Sequence, residues 1–219
     1  MPHLLHLDAS ARRRSFSREA GSTFADAWRE AGGTVTHRDL ARDPVPQITE
    51  AWTGMCDNLL ADGITALDRL ADGARTPDQV AAWRIVQPLL DELVAADVVL
   101  IGTPMYNYGV PASLKAWIDQ VTFPRMSLTG RTIVVASARG GSYLPGAPKA
   151  AFDHQARYLQ DFAAGHFAIT DVRFLHAELA NSVIDPLLAD LRPRHEASLT
   201  RALQEARALG RDLATKVTA

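Results

Sequence analysis

Residues 102–109, Gly-Thr-Pro-Met-Tyr-Asn-Tyr-Gly, crowd a methionine and two tyrosines beside residues suited to a tight turn. Asn107 and Gly109 accept positive φ at low cost, so the backbone can fold sharply and aim N–H groups outward. Met105, Tyr106 and Tyr108 add polarisable or aromatic faces beside those donors, a surface suited to a planar heteroaromatic ring. The competing account is that these aromatics only cover the edge of the core. A second stretch, Asp8-Ala9-Ser10-Ala11-Arg12-Arg13-Arg14-Ser15-Phe16-Ser17, presents three hydroxyls ahead of a helix. Unpaired N–H groups and the positive end of the helix dipole favour a phosphomonoester there, whereas the plainer role for Ser15 or Ser17 is to cap the helix. Arg12 to Arg14 read as a solvated basic patch. In a third stretch, Ala138-Arg139-Gly140-Gly141-Ser142-Tyr143, the glycines let backbone approach a ligand closely.

Several chemistries lack their residues. No Gly-Lys-Ser/Thr phosphate loop occurs, and no Gly-x-Gly-x-x-Gly follows the first apolar run, which disfavours nucleotide hydrolysis and Rossmann-type dinucleotide binding. His6, His37, His154, His166 and His176 are scattered without metal-ligand spacing. Cys56 sits in a polar neighbourhood with no matched histidine and reads as an incidental thiol.

The 219 residues carry a formal net charge of −2, with 47% hydrophobic and 22% charged residues. These values fit one soluble globular domain spanning 1–219, with no membrane span and no overall attraction to nucleic acid. Residues 1–15 hold His3, His6, Asp8 and three arginines in place of an apolar signal segment, so a cytoplasmic location is expected.

The elements that must carry the three stretches can be read from periodicity. Strands are expected at 3–7, 34–38, 98–102, 132–137 and 169–175, and helices at 17–31, 57–72, 76–96, 111–122, 148–164 and 186–216. Thr76-Pro77-Asp78-Gln79 is a capping-box start, and Pro88 predicts a kink or break in that helix. Its apolar positions Val80, Trp83, Leu90 and Val94 are expected to face the sheet, and Pro111 suits a first helical position. Strands alternating with helices imply a parallel sheet covered on both faces. A flavodoxin-like three-layer α/β sandwich, with five parallel strands in the order 2-1-3-4-5, brings the loops at 8–17, 104–110 and 138–143 together at the strands' carboxyl ends.

Ser10 with Ser15-Phe16-Ser17, Pro104-Met105-Tyr106-Asn107-Tyr108, Leu114-Lys115-x-Trp117-Ile118-Asp119, Arg139-Gly140-Gly141 and Ile169-Thr170-Asp171-Val172 together resemble the FMN-dependent NADH:quinone oxidoreductases, also called azoreductases. The order and spacing match over nearly the whole chain. The resemblance implies that Ser10, Ser15, Phe16 and Ser17 hold the FMN phosphate. It places Met105, Tyr106, Asn107 and Tyr108 against the isoalloxazine ring, with Ala138, Arg139, Gly140 and Gly141 bordering its pyrimidine side. Asn107 would serve as a backbone donor and Tyr143 as a candidate substrate contact, no side-chain nucleophile being needed.

The implied reaction is ping-pong: NADH or NADPH passes hydride to flavin N5 and leaves, and a quinone or an aromatic azo compound then takes two electrons. Family kinship also implies a homodimer with active sites at the subunit interface. Two departures stand out, Ala138 where the family often has serine, and a short 122–131 segment where the best-known members make a long excursion beside the substrate pocket. The alternatives are a flavodoxin-like electron carrier and a flavin-binding regulatory subunit.

Overall fold

Parallel strands buried on both faces are written as largely apolar runs, and residues 98–101 and 133–136 obey this. In the computed structural model, which describes residues 1–218, the strands are β1 (His3–Asp8), β2 (Thr34–Asp39), β3 (Val98–Pro104), β4 (Thr132–Ala138) and β5 (Asp171–Ala177). All pairings are parallel and the order is β2-β1-β3-β4-β5, as the alternating pattern predicts. The helices are α1 (Phe16–Glu30), α2 (Glu50–Ala61), α3 (Pro77–Ala95), α4 (Ala112–Val121), α5 (His154–Phe167) and α6 (Arg192–Thr218).

The two-residue period of a strand sorts the core into two halves. Leu4, Val98, Leu100 and Val134 pack with Phe24 and Trp28 of α1 and Leu213 of α6. Leu5, Leu7, Val99, Ile101 and Val135 pack on the other face with Met55, Val86, Leu93, Trp117 and Phe162 from α2 to α5. Connections therefore leave β1 and β3 toward opposite faces, which opens a crevice at their carboxyl ends.

Several expectations are corrected. The helix expected at 57–72 is instead α2, beginning at Glu50, and a separate 3-10 turn at Leu67–Gly73. Gly63, at φ 66°, ends α2: its N–H bonds Leu60 and that of Ile64 bonds Leu59, the paired bonds of a left-handed helix stop. The capping box at Thr76 forms, but α3 runs on through Pro88 without a break. Its buried residues are Val86, Leu89, Leu90 and Leu93, while Val80 is exposed. Pro111 is the N-cap of α4 and not its first turn. Helix α5 starts at His154, capped by Asp153, leaving 148–153 as short turns, and Pro186–Leu191 is a 3-10 turn preceding α6. Cys56 is buried in the core, where burial pushes its thiol up to about 12, so it is inert. Phe123, Met126 and Leu128 of the short 122–131 segment are also buried in the core.

Candidate functional site

The three loops singled out in the sequence meet in one crevice of about 660 Å³, within the range of cofactor pockets. Ser10, Ser15, Phe16, Met105, Tyr106, Asn107, Tyr108, Ala138, Gly140, Gly141 and Tyr143 line it. Ser17 and the Arg139 side chain do not; both are buried beneath their loops. Arg12 and Arg14 are exposed, as expected, and also line the crevice, together with Lys149 and Glu19. Three cations and one carboxylate thus face the cavity in a chain whose net charge is −2.

At the first loop, Ser15 occupies the N-cap position of α1, yet its side chain makes no cap bond; its hydroxyl pairs with that of Ser17 at 2.9 Å. The end of the helix therefore keeps its N–H groups for an external acceptor, an arrangement that fits an anion. Arg18, one residue further on, takes up the loop's acceptors. Its Nη2 donates to the Ser10 carbonyl at 2.8 Å and its Nε to the Arg12 carbonyl at 3.0 Å. The hydrogen bond to Asp39, against the cost of burial, raises the pKa of Arg18, and Asp8 adds to the effect.

In the second loop, Tyr106 and Gly109 exchange both backbone hydrogen bonds, at 3.2 and 2.9 Å. Asn107 and Tyr108, at φ 48° and 65°, are the central residues of this two-residue loop. That is type I′ geometry, so Tyr108 and not Gly109 takes the second left-handed position. The Met105 N–H is spent on the Ala138 carbonyl at 2.8 Å. The Pro104 and Gly109 carbonyls accept from the buried Gln155 Nε2 at 2.8 and 3.3 Å. Only the N–H groups of Asn107 and Tyr108 stay unpaired in this turn among the described residues.

The glycine loop is built in the same way. The carbonyls of Arg139, Gly140 and Gly141 accept from the N–H groups of Ala180, Asn181 and Leu179 at 2.9, 3.2 and 3.1 Å. The N–H groups of Gly140 and Gly141 keep no partner among the described residues. A Cβ at position 140 would lie 2.7 Å from Asn181 Nδ2, so any larger residue there would have to displace the Asn181 side chain. Below the loop, Arg139 Nη1 lies 2.8 Å from Asp153 Oδ2 and 3.5 Å from Glu178 Oε1. Glu178 also accepts from the Ser142 hydroxyl at 2.7 Å and the Tyr143 N–H at 2.9 Å. His176 Nε2 faces Arg139 Nη2 at 3.1 Å and must accept, which leaves Nδ1–H to donate to the Ser137 hydroxyl at 2.8 Å. Burial, reinforced by Arg139, pushes His176 down to about 3 and keeps it neutral.

Aromatic groups wall the remainder. The Tyr143 ring meets Tyr108 edge-on at 6.3 Å, and the Arg139 guanidinium lies 5.7 Å from its centre. Burial, then Tyr108, raises the Tyr143 pKa, so the phenol stays protonated. Phe16 packs edge-on against His195 at 4.5 Å.

The histidines are less scattered than the sequence suggests, because the β1–β2 register sets His6 beside His37. His37 Nε2 lies 2.9 Å from Asp8 Oδ2, and His6 Nε2 3.7 Å from Asp8 Oδ1. Burial pushes His6 down to about 4. Arg18 Nη1 already engages the same Asp8 carboxylate at 3.1 Å, so the group is a charge-compensated network, buried at His6 and Asp8 and exposed at His37.

The sequence reading missed Arg18, Lys149, Gln155, Glu178 and the 179–184 segment, of which Ala180, Asn181, Val183 and Ile184 line the crevice. The available signal was position: Glu178 directly follows β5, at the sheet edge where such folds bind ligands.

Residues 2–205 match the model of a family described as having a flavodoxin-like fold. An FMN-dependent NADH:quinone oxidoreductase of Nocardia farcinica is 66% identical over 97% of this chain and 99% of that protein. One from Streptomyces avermitilis is 37% identical over the full length of both. Among solved structures, an azoreductase from Bacillus anthracis superposes with a TM-score of 0.74 at 22% identity, over 97% of this chain and 100% of that one. An FMN-dependent NADH-azoreductase from the same species, solved in complex with FMN, gives 0.75 at 19% identity, over 97% of this chain and 99% of that one. Such low identities speak for the fold alone, but two-thirds identity along almost the whole chain defines descent, and the protein belongs to the FMN-dependent NADH:quinone oxidoreductase family.

Proposed function

We propose that this chain is an FMN-dependent oxidoreductase that takes electrons from NADH and passes them in pairs to quinones, with aromatic azo compounds as further acceptors. The observation that carries this reading is the convergence of three loops on one crevice, each with several carbonyls engaged by the protein and with N–H groups left over. The uncapped end of α1 and the bare cradle at Gly140 fit a phosphorylated flavin.

In this reading Ser10, Ser15 and the start of α1 bind the phosphate, with Ser17 orienting the Ser15 hydroxyl through the bond between them. Met105, Tyr106, Asn107 and Tyr108 lie along the ring, and Ala138, Gly140 and Gly141 border its pyrimidine side. Arg139 acts from beneath by fixing the loop, and the backbone still serves the ring although residue 138 is alanine. When bound, FMN supplies the two-electron carrier that alternates between donor and acceptor in a ping-pong cycle. The N–H groups of Asn107, Gly140 and Gly141 place fixed positive dipoles where negative charge develops, with no reorganisation at that moment. Tyr143 and Lys149 meet the substrate.

The chain acts as one FMN-binding domain in the cytoplasm; among the described residues no helix is long and apolar enough to cross a membrane. A homodimer fits the exposed apolar residues beside the crevice: Tyr106, Tyr108, Leu144, Phe152, Val183 and Ile184.

The test is the visible spectrum of the purified protein, followed by anaerobic NADH and then a quinone. Flavin absorbance that bleaches with NADH and returns with quinone supports the oxidoreductase. Colourless protein that ignores added FMN overturns the reading, and bound flavin that NADH cannot reduce favours an electron carrier or a regulatory subunit.

A further inference from the structure

Arg18 is a partly buried cation next to the crevice that does not line it: its side chain is 15% exposed. Its planar fork reaches four acceptors at once. Two are carbonyls of the β1–α1 loop, those of Ser10 at 2.8 Å and Arg12 at 3.0 Å. The others are carboxylates, Asp39 Oδ1 at 2.8 Å and Asp8 Oδ2 at 3.1 Å. Asp8 is held in turn by His37 at 2.9 Å, and Asp39 by the N–H groups of Ala41 and Arg42 at 3.1 and 3.2 Å. The clamp therefore stands on the ends of two neighbouring strands, β1 and β2, and reaches up into the loop.

The effect on the loop is chemical as well as mechanical. A peptide unit whose carbonyl turns inward sends its N–H the other way, so holding the oxygens of residues 10 and 12 leaves donors for the cavity. Among the described residues the N–H groups of Ala11, Arg13, Arg14 and Ser15 have no partner. The two carboxylates already compensate the guanidinium charge, so Arg18 is not itself an anion ligand.

We propose that Arg18 is the positioning residue of the phosphoryl-binding loop, and that through the Ser10 and Arg12 carbonyls it sets the preference for a phosphorylated flavin over the same ring system without phosphate. The proposal rests on the FMN reading above and deepens it. Lysine cannot replace Arg18, because an ammonium concentrates its donors at one point and cannot span two carbonyls and two carboxylates.

The experiment measures dissociation constants of apoprotein for FMN and for riboflavin by flavin fluorescence, in the unsubstituted protein, Arg18→Lys and Asp39→Asn. For Arg18→Lys, FMN binding is expected to weaken by about tenfold or more, the scale of hydrogen bonds to charged groups. Riboflavin binding should stay within about twofold, since riboflavin lacks the group the loop serves. Asp39→Asn, which loosens one support of the clamp, should shift the ratio of the two constants in the same direction but less. A parallel weakening of both flavins, or an unchanged ratio, overturns the proposal, and Asp39→Asn decides the matter alone if Arg18→Lys does not fold. Unsubstituted protein that binds neither flavin overturns the FMN reading instead, and this proposal falls with it.

Discussion

Glu178 is the residue whose loss should separate the architecture of the glycine loop from its chemistry. It is 3% exposed and follows β5, its backbone fixed by α6: its N–H donates to the Ser198 hydroxyl at 3.1 Å and its carbonyl accepts from His195 Nδ1 at 2.7 Å. Its carboxylate serves Ser142, Tyr143 and Arg139. In Glu178→Ala the two hydrogen bonds from Ser142 and Tyr143 disappear, each worth roughly 1.5–3 kcal/mol to a charged acceptor. Ser142 is only half-buried and can turn to water, which returns part of that loss. Arg139 keeps Asp153 at 2.8 Å and so escapes the full penalty of about 3–5 kcal/mol for a stranded buried charge. The net expectation is about 3 kcal/mol of destabilisation, a fall in Tm of about 6–12 °C for a chain of this size.

Glu178→Gln keeps the shape. Its carbonyl oxygen can face Tyr143 and Arg139, and its amide can donate to the Ser142 hydroxyl, so only the charge is lost and about 1 kcal/mol is expected. Urea unfolding of apoprotein measures both variants. FMN affinity should fall in the alanine variant, by roughly tenfold or about 1.4 kcal/mol, because the loop is freed at 142 and 143 while 139–141 stay pinned. Alanine and glutamine variants equal to within about 0.5 kcal/mol, the range of ordinary surface changes, would refute the account of Glu178 as the loop's support.

Two other expectations can be checked independently. Asn107→Pro removes an unpaired N–H and imposes a negative φ where the chain needs 48°, so flavin binding and NADH-driven turnover should both fall; unchanged values would remove this donor from the site. Stability should also depend on pH through His6 and His176, which burial pushes down to about 4 and about 3. Unfolding frees each to protonate near 6.5, so the unfolded chain binds more protons below that pH. Stability from these groups is complete above about 6.5 and declines toward 4, with a slope approaching 1.4 kcal/mol per pH unit for each group. Urea midpoints between pH 7 and 4.5 should show the decline, and His176→Gln should lessen the slope; a flat profile contradicts the burial argument.

The sheet was legible because strands buried on both faces must be written as apolar runs, and Val98 to Ile101 or Ile133 to Val135 admit little else. The loops were legible for a related reason: a left-handed turn or a close backbone approach restricts residue choice, and Asn107, Gly140 and Gly141 announce themselves. Helix α2, expected at 57–72, had its true bounds written in the sequence all the same. Trp52, Met55, Cys56 and Leu59 fall at i, i+3, i+4 and i+7, and Asp62-Gly63 closes the helix. What could not be read was the support beneath the loops. Arg139 and Glu178 lie 39 positions apart, and Gln155 is 51 positions from the Pro104 carbonyl it engages. No local periodicity marks such partners, because their role exists only once the strand order has brought them to one edge.

That support has one logic at both ends of the crevice. Arg18 lies between Asp8 and Asp39 beneath the loop after β1, and Arg139 lies between Asp153 and Glu178 beneath the loop after β4. In each case a guanidinium, partly buried at Arg18 and fully buried at Arg139, with two carboxylates leaves the ground below the loop near or slightly below neutrality. Neither arginine can then be the main attraction for an anion above it. Arg12, Arg14 and Lys149 in the cavity wall attract anions in general, and recognition of a particular one falls to oriented backbone, which is oriented because key oxygens are occupied: by Arg18 in the first loop, by Gln155 and the Tyr106–Gly109 exchange in the second, and by residues 179–181 in the third. A cationic side chain would attract any anion that reached it, whereas N–H groups fixed by a rigid sheet favour one whose acceptors match their positions. Discrimination therefore resides in the geometry of the loops, and the buried ion pairs maintain that geometry.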